Sequence, residues 1–126
     1  MSARVVHFEV PFDDADRARS FYGDVFDWKI QSMPGMGYNL VSTGPTTPDG
    51  MPTGPGYIGG GMLQRQDPID VPVITLEVED IDATLAAVVA HGGSSVREKE
   101  PVGEMGFAAY FRDSEGNLMG LWQNAG

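Results

Sequence analysis

The feature that most restricts this chain is that it repeats itself. HFEVPFDDAD, starting at His7, lies over VITLEVEDID, starting at Val73, with Phe8 over Ile74, Val10 over Leu76, Phe12 over Val78 and Asp14 over Asp80. Such a match means one supersecondary unit built twice, so every element has to be read in both copies. In each copy apolar residues alternate up to an acidic pair. Period two marks a strand with two different faces, and the acidic residues then stand where a helix N-terminus favours them.

Beyond Asp14, the residues Ala18, Phe21, Tyr22, Val25 and Phe26 recur at helical spacing while Asp16, Arg17, Arg19 and Asp24 fall largely elsewhere. The spacing predicts a helix with one apolar stripe for burial. A second helix is expected from about Asp82 to His91, with Leu85, Val88 and Val89 as its stripe, ending at Gly92 and Gly93, where glycine can take the left-handed conformation that closes a helix. Strands are expected at Trp28 to Gln31, Gly37 to Ser42 and Tyr57 to Gln64, then at Ser95 to Lys99, Phe107 to Arg112 and Leu118 to Gln123. The order is therefore βαβββ twice.

At 126 residues the chain has the length of one domain, with repeat one at about 4–66 and repeat two at about 71–124. Asp67, Pro68 and Pro72 mark the joint, which is too short to separate two independent domains. The stretch from Thr43 to Gly56 is too rich in Pro and Gly for a regular element and reads as a lid or a plain loop.

Composition removes several classes of function. There is no cysteine, hence no disulfide framework, no thiolate metal site and no thiol nucleophile. A formal net charge of -10 repels phosphate backbones and anionic lipid, so nucleic acid and membranes are not expected partners. The opening MSARVVHFEV lacks the apolar core of a secretory signal, and no apolar stretch approaches the length needed to span a membrane. A cytoplasmic location is expected, and an acidic surface suits a cationic ligand.

The segment HFEVPFDDADRARSFYGDVFDW resembles the first unit of vicinal-oxygen-chelate proteins, the glyoxalase, bleomycin-resistance and extradiol-dioxygenase superfamily. VEDIDATLAAVVAHGG with FRDSEGNLMGLWQ resembles the second. The turn Asp113-Ser114-Glu115-Gly116-Asn117 is similar to the D-P-x-G-N of that family, and together the matching segments span nearly the whole chain. The resemblance implies an α+β fold in which two βαβββ repeats form a cupped mixed sheet.

In metal-dependent members four ligands, usually His, Glu or Gln, meet on the concave face, two from each unit. By position these fall on His7, Val73, Gly61 and Gly120, so one ligand is kept and three are lost. One imidazole cannot hold a divalent ion usefully. No metal cofactor is expected, and a rearranged site, if present, would be His7, Glu9 and Glu77.

Period-two counting turns His7, Glu9, Thr75 and Glu77 toward the cup, with Val6, Phe8, Val10, Ile74, Leu76 and Val78 facing the helices. Tyr110, Leu118 and Trp122 share the parity of Gly120, and Tyr38, Tyr57 and Met62 are candidate additions from the first unit. Glycines in place of ligands leave volume, and an aromatic-walled concavity with a few polar groups suits a small organic molecule. The expected ligand-binding set is thus Glu9, Thr75, Glu77, Tyr110, Trp122, Tyr57 and Met62. His7 is the candidate general acid or base, its ordinary pKa lying near neutrality.

Three functions remain open: a metal-free protein binding a small organic molecule, a metal-independent lyase or isomerase using His7, and a metal-dependent glyoxalase- or dioxygenase-type enzyme. The resemblance also implies a homodimer and, from the drug-sequestering branch, a cationic ligand.

Overall fold

In the computed structural model every residue is described except Met1, Pro34 and Met36. The chain divides into two units, His7–Pro72 and Val73–Gly126 with Met1–Val6. The inclusion of the first six residues with the second unit was not anticipated; there the Arg4 carbonyl accepts from the Glu77 amide.

The first repeat runs β1 (Val5–Phe12), α1 (Ala15–Phe26), β2 (Lys29–Met33), β3 (Tyr38–Ser42) and β4 (Gly60–Gln64). β1 pairs parallel with β4, and β4–β3–β2 continue antiparallel. The second repeat runs β5 (Val73–Glu77), α2 (Ile81–Ala90), β6 (Ser94–Val102), β7 (Gly106–Arg112) and β8 (Leu118–Asn124). β5 pairs parallel with β8, and β8–β7–β6 continue antiparallel. The α+β, twice-βαβββ expectation is what the structure has.

The helix boundaries follow from their caps. Asp14 and Asp80 are extended N-caps whose carboxylates accept from the amides of Arg17 and Ala83, satisfying donors that the first turn leaves without partners. α2 ends as the sequence foretells, with Gly92 in the left-handed region. α1 ends on Asp27, a non-glycine left-handed residue that no glycine announces. In the β7–β8 turn Asp113 accepts from Glu115 and from both the amide and side chain of Asn117. Chiefly through the Asn117 bonds, this holds the Asp113 carboxyl below the usual carboxylate range.

Each unit has its own core on the helix side of its sheet. In the first, Phe12, Val41 and Met62 are buried with Phe8, Val10, Ala18 and Ile30 around them, and Trp28 stacks on Tyr22 with ring centroids 4.8 Å apart. In the second, Ile81, Leu85, Ala109, Phe111 and Leu121 are buried. Two sequence expectations need correction here. Phe21, Val25 and Phe26 are more than half exposed, because only the Ala15–Ala18–Tyr22 edge of α1 meets the core. Ile74 is likewise exposed, although its neighbours Leu76 and Val78 pack against the core as expected.

The stretch Thr43–Gly56 is closed on itself. Thr46 bridges Pro52, the Thr53 amide bonds the Pro45 carbonyl, and the Tyr57 hydroxyl donates to that same carbonyl at 2.5 Å. Among the described residues no helix is long and apolar enough to cross a membrane.

Ile81 is fully buried, so Ile81→Ala is expected to destabilise by about 2–5 kcal/mol. Phe21→Ala on the exposed side of α1 should cost under about 1 kcal/mol. Urea unfolding of both variants checks the contrast.

Candidate functional site

On the sheet face away from α1, strand parity brings together His7 and Glu9 of β1, Gly61 of β4, and Tyr38 and Leu40 of β3; Glu9 and Leu40 both lie in register with Gly61. Tyr38 stands one row along, opposite Leu63, and its ring leans back over Gly61. A Cβ built on Gly61 would overlap the Tyr38 hydroxyl, so glycine is required for the tyrosine to reach where it does.

What it reaches is the pair His7 and Glu9. Tyr38 Oη donates to Glu9 Oε2 at 2.8 Å and lies 2.7 Å from His7 Nε2. A phenol has one proton. If that proton is given to Glu9, the bond with His7 must be donated by the imidazole, which makes His7 the Nε2–H tautomer with its lone pair on Nδ1. Burial pushes the His7 pKa below the ordinary 6.5, with the Glu9 charge acting against it, so the ring is neutral at pH 7. Glu9 itself is 6% exposed.

The arrangement is a three-group proton path, His7–Tyr38–Glu9. It does not fit a divalent metal in the manner the resemblance implies. The Nε2 and carboxylate that would face an ion are joined through a hydroxyl, and Gly61 supplies no donor and has no room for one. Among the described residues no three His, Asp or Glu side chains are grouped so as to hold a metal ion.

In the second unit, Thr75 of β5, Gly120 of β8 and Tyr110 of β7 form the row equivalent to Glu9, Gly61 and Leu40, while Ala108 stands where the first unit has Tyr38. The Thr75 hydroxyl bends over Gly120, where a Cβ would come within 2.7 Å of it. At 7% exposure Thr75 is floor more than contact surface. In the next row Glu77 pairs with Trp122; Trp122 Nε1 donates to Asn124 Oδ1 at 2.9 Å and Asn124 Nδ2 donates to Glu77 Oε1 at 2.8 Å. Arg97 of β6 lies opposite Tyr110 with its guanidinium 5.9 Å over the ring.

The sequence-predicted residues therefore sort by unit. His7 and Glu9 meet through Tyr38; Thr75, Glu77, Tyr110 and Trp122 share one face of the second unit. Two expectations are corrected. Met62 is next to Gly61 on β4 and so points the other way, into the core at 1% exposure, beneath the cleft between α1 and the sheet. Tyr57 turns its hydroxyl to Pro45 and Thr53 and its ring onto Gly44, pinning the 43–56 loop. Arg97 and Asn124 were missed. A period-two count through the β6 bulges could not assign Arg97 a face, and Asn124 lies one residue beyond the expected end of β8.

Comparisons with known proteins agree with this architecture. The family described as bleomycin resistance protein-like N-terminal matches residues 4–44. A glyoxylase-like domain-containing protein of Didymella fabae is 28% identical over 131 residues, covering 100% of this chain and 98% of that protein. Among solved structures, a Streptomyces coelicolor methylmalonyl-CoA epimerase in complex with 2-nitronate-propionyl-CoA superposes with TM-score 0.65 at 19% identity, covering 100% of each chain. A glyoxalase/bleomycin resistance protein/dioxygenase superfamily member of Vibrio splendidus gives 0.59 at 18% identity, covering 98% and 99%. The chain thus has the glyoxalase/bleomycin-resistance/dioxygenase fold. The match over residues 4–44 and the glyoxylase-like relative make the chain similar to proteins of the vicinal-oxygen-chelate superfamily.

Gly61→Ala is expected to cost about 1–3 kcal/mol through overpacking against Tyr38 and far less in a Tyr38→Ala background, a coupling that a double-mutant cycle on urea unfolding reads directly. The His7 pKa is lowered on folding. The unfolded chain therefore takes up a proton that the folded chain refuses as pH falls from above 6.5, and stability drops over that range down to the folded pKa. Thermal melts at stepped pH should show a shallower loss in His7→Gln; equal slopes would mean another group is responsible.

Proposed function

We propose that this glyoxalase-like protein binds a small organic molecule on its sheet without a metal. The observation that supports this best is the Tyr38 hydroxyl, seated between His7 and Glu9 over Gly61, where family-style coordination would need open lone pairs and a fourth-strand donor. An ion would have to expel a phenol hydrogen-bonded on both sides and would still find only two side chains, short of what useful affinity requires. A homodimer in the cytoplasm, with no nucleic-acid or membrane partner, completes the reading.

A second reading is favoured by the same geometry. The His7–Tyr38–Glu9 path leaves His7 Nδ1 as a base, and a proton taken there can be balanced through Tyr38, which is the equipment of a metal-independent lyase or isomerase. The epimerases among the structural neighbours share the fold alone and do not bear on this choice.

Protein purified without chelator and then offered Zn, Ni, Mn or Fe is expected to hold no stoichiometric metal by elemental analysis. Stoichiometric metal that disappears in His7→Ala would overturn the proposal in favour of a metal-dependent glyoxalase- or dioxygenase-type site. Between the first two readings His7→Ala decides as well: binding should survive, whereas acid–base turnover should not.

A further inference from the structure

Most charges of α1 are answered within the chain, and two are not. Asp16 and Arg19 bond each other, and Asp27 past the helix end bonds Lys29. That leaves Arg17 and Asp24, both exposed, whose side chains meet no opposite charge among the described residues. Their order also runs against the helix: a cation in the first turn and an anion in the last both oppose the macrodipole. Nothing within one copy accounts for that order.

Arg17 and Asp24 share one stripe of the helix with Phe21 and Val25, at steps of four, seven and eight residues from Arg17. Phe21 is 54% and Val25 57% exposed. At 1.5 Å per residue Arg17 lies about 6 Å before Phe21 along the axis, and Asp24 about 4.5 Å after it. A second α1 running antiparallel across this stripe, about a two-fold near Phe21, brings each Arg17 beside the other copy's Asp24. A parallel one sets like charges together. Beside Phe21, between α1 and the sheet, is a cleft of about 270 Å³ lined by Phe12, Ala18, Tyr22 and Met62, with Arg17 at its edge. The same two-fold brings each copy's Phe21 to the other's cleft, so one sequence supplies both the apolar wall and the ring that covers it.

We propose that this stripe of α1 is a self-association face: two copies of the chain pack antiparallel along it, Arg17 of each against Asp24 of the other and Phe21 of each against the other's cleft. This rests on the homodimer reading above and gives that dimer its surface. A formal net charge of -10 on each chain opposes association, so the contact is reversible and depends on concentration, with the two charge pairs setting register more than strength.

Sedimentation velocity of the full chain over a concentration series tests it. Arg17→Asp and Asp24→Arg each replace two attractive contacts by two like-charge ones, and each is expected to weaken the dimer at least about tenfold. The double variant, which exchanges the two charges, is expected to return to within about threefold of the natural chain. Both substitutions suit the helix dipole better than the natural residues, so a lost dimer is not a melted helix. Phe21→Ala, which costs little within one copy, is expected to weaken the dimer as well. A dimer that tolerates Phe21→Ala, single charge variants that dimerise like the natural chain, or a double variant no better than the singles each overturns this surface and leaves the homodimer reading standing. A natural chain that stays monomeric throughout overturns both and gives the face to a different occupant, protein or small molecule.

Discussion

The interaction on which the first unit's site depends is a phenol hydroxyl shared between an imidazole and a carboxylate. Tyr38 can sit between His7 and Glu9 only because Gly61 has no side chain. Its two hydrogen bonds in turn fix the tautomer of His7 and satisfy a carboxylate that is almost fully buried. A buried carboxylate deprived of a hydrogen-bond donor costs folding free energy. The glycine, the tyrosine, the neutral histidine and the acid are thus one arrangement, and altering any one of them leaves the others with unmet bonds.

Much of the fold is legible in the sequence, because each repeat states it locally. Alternation to an acidic cap, a helical stripe and a Gly-Gly stop fix β5, α2 and their junctions, and the same grammar places β1 and α1. What sequence could not supply was how far a helix would sink into its core: the aromatics of α1 are periodic, but only the small-residue edge with Tyr22 is in contact, so Phe21 and Phe26 stay outside.

The site was legible where it obeyed parity and obscure where it did not. His7, Glu9, Thr75, Glu77, Tyr110 and Trp122 all lie on the strand faces that counting assigns. Met62 was misplaced although the rule itself was sound: it adjoins Gly61 and cannot share its face. Tyr57 depends on how a Pro- and Gly-rich loop closes, which no period encodes. The diagonal reach of Tyr38 across a strand to His7 is a long-range side-chain event whose only trace in sequence is an unexplained glycine.

The register equivalence of Tyr38 and Ala108 means that the two halves, built on one plan, are no longer interchangeable parts. A chain assembled from two copies of the first half could keep the strand order, caps and cores, because those are common to both. It would carry a tyrosine in each row. At these two positions the units differ in side chain on a shared strand register.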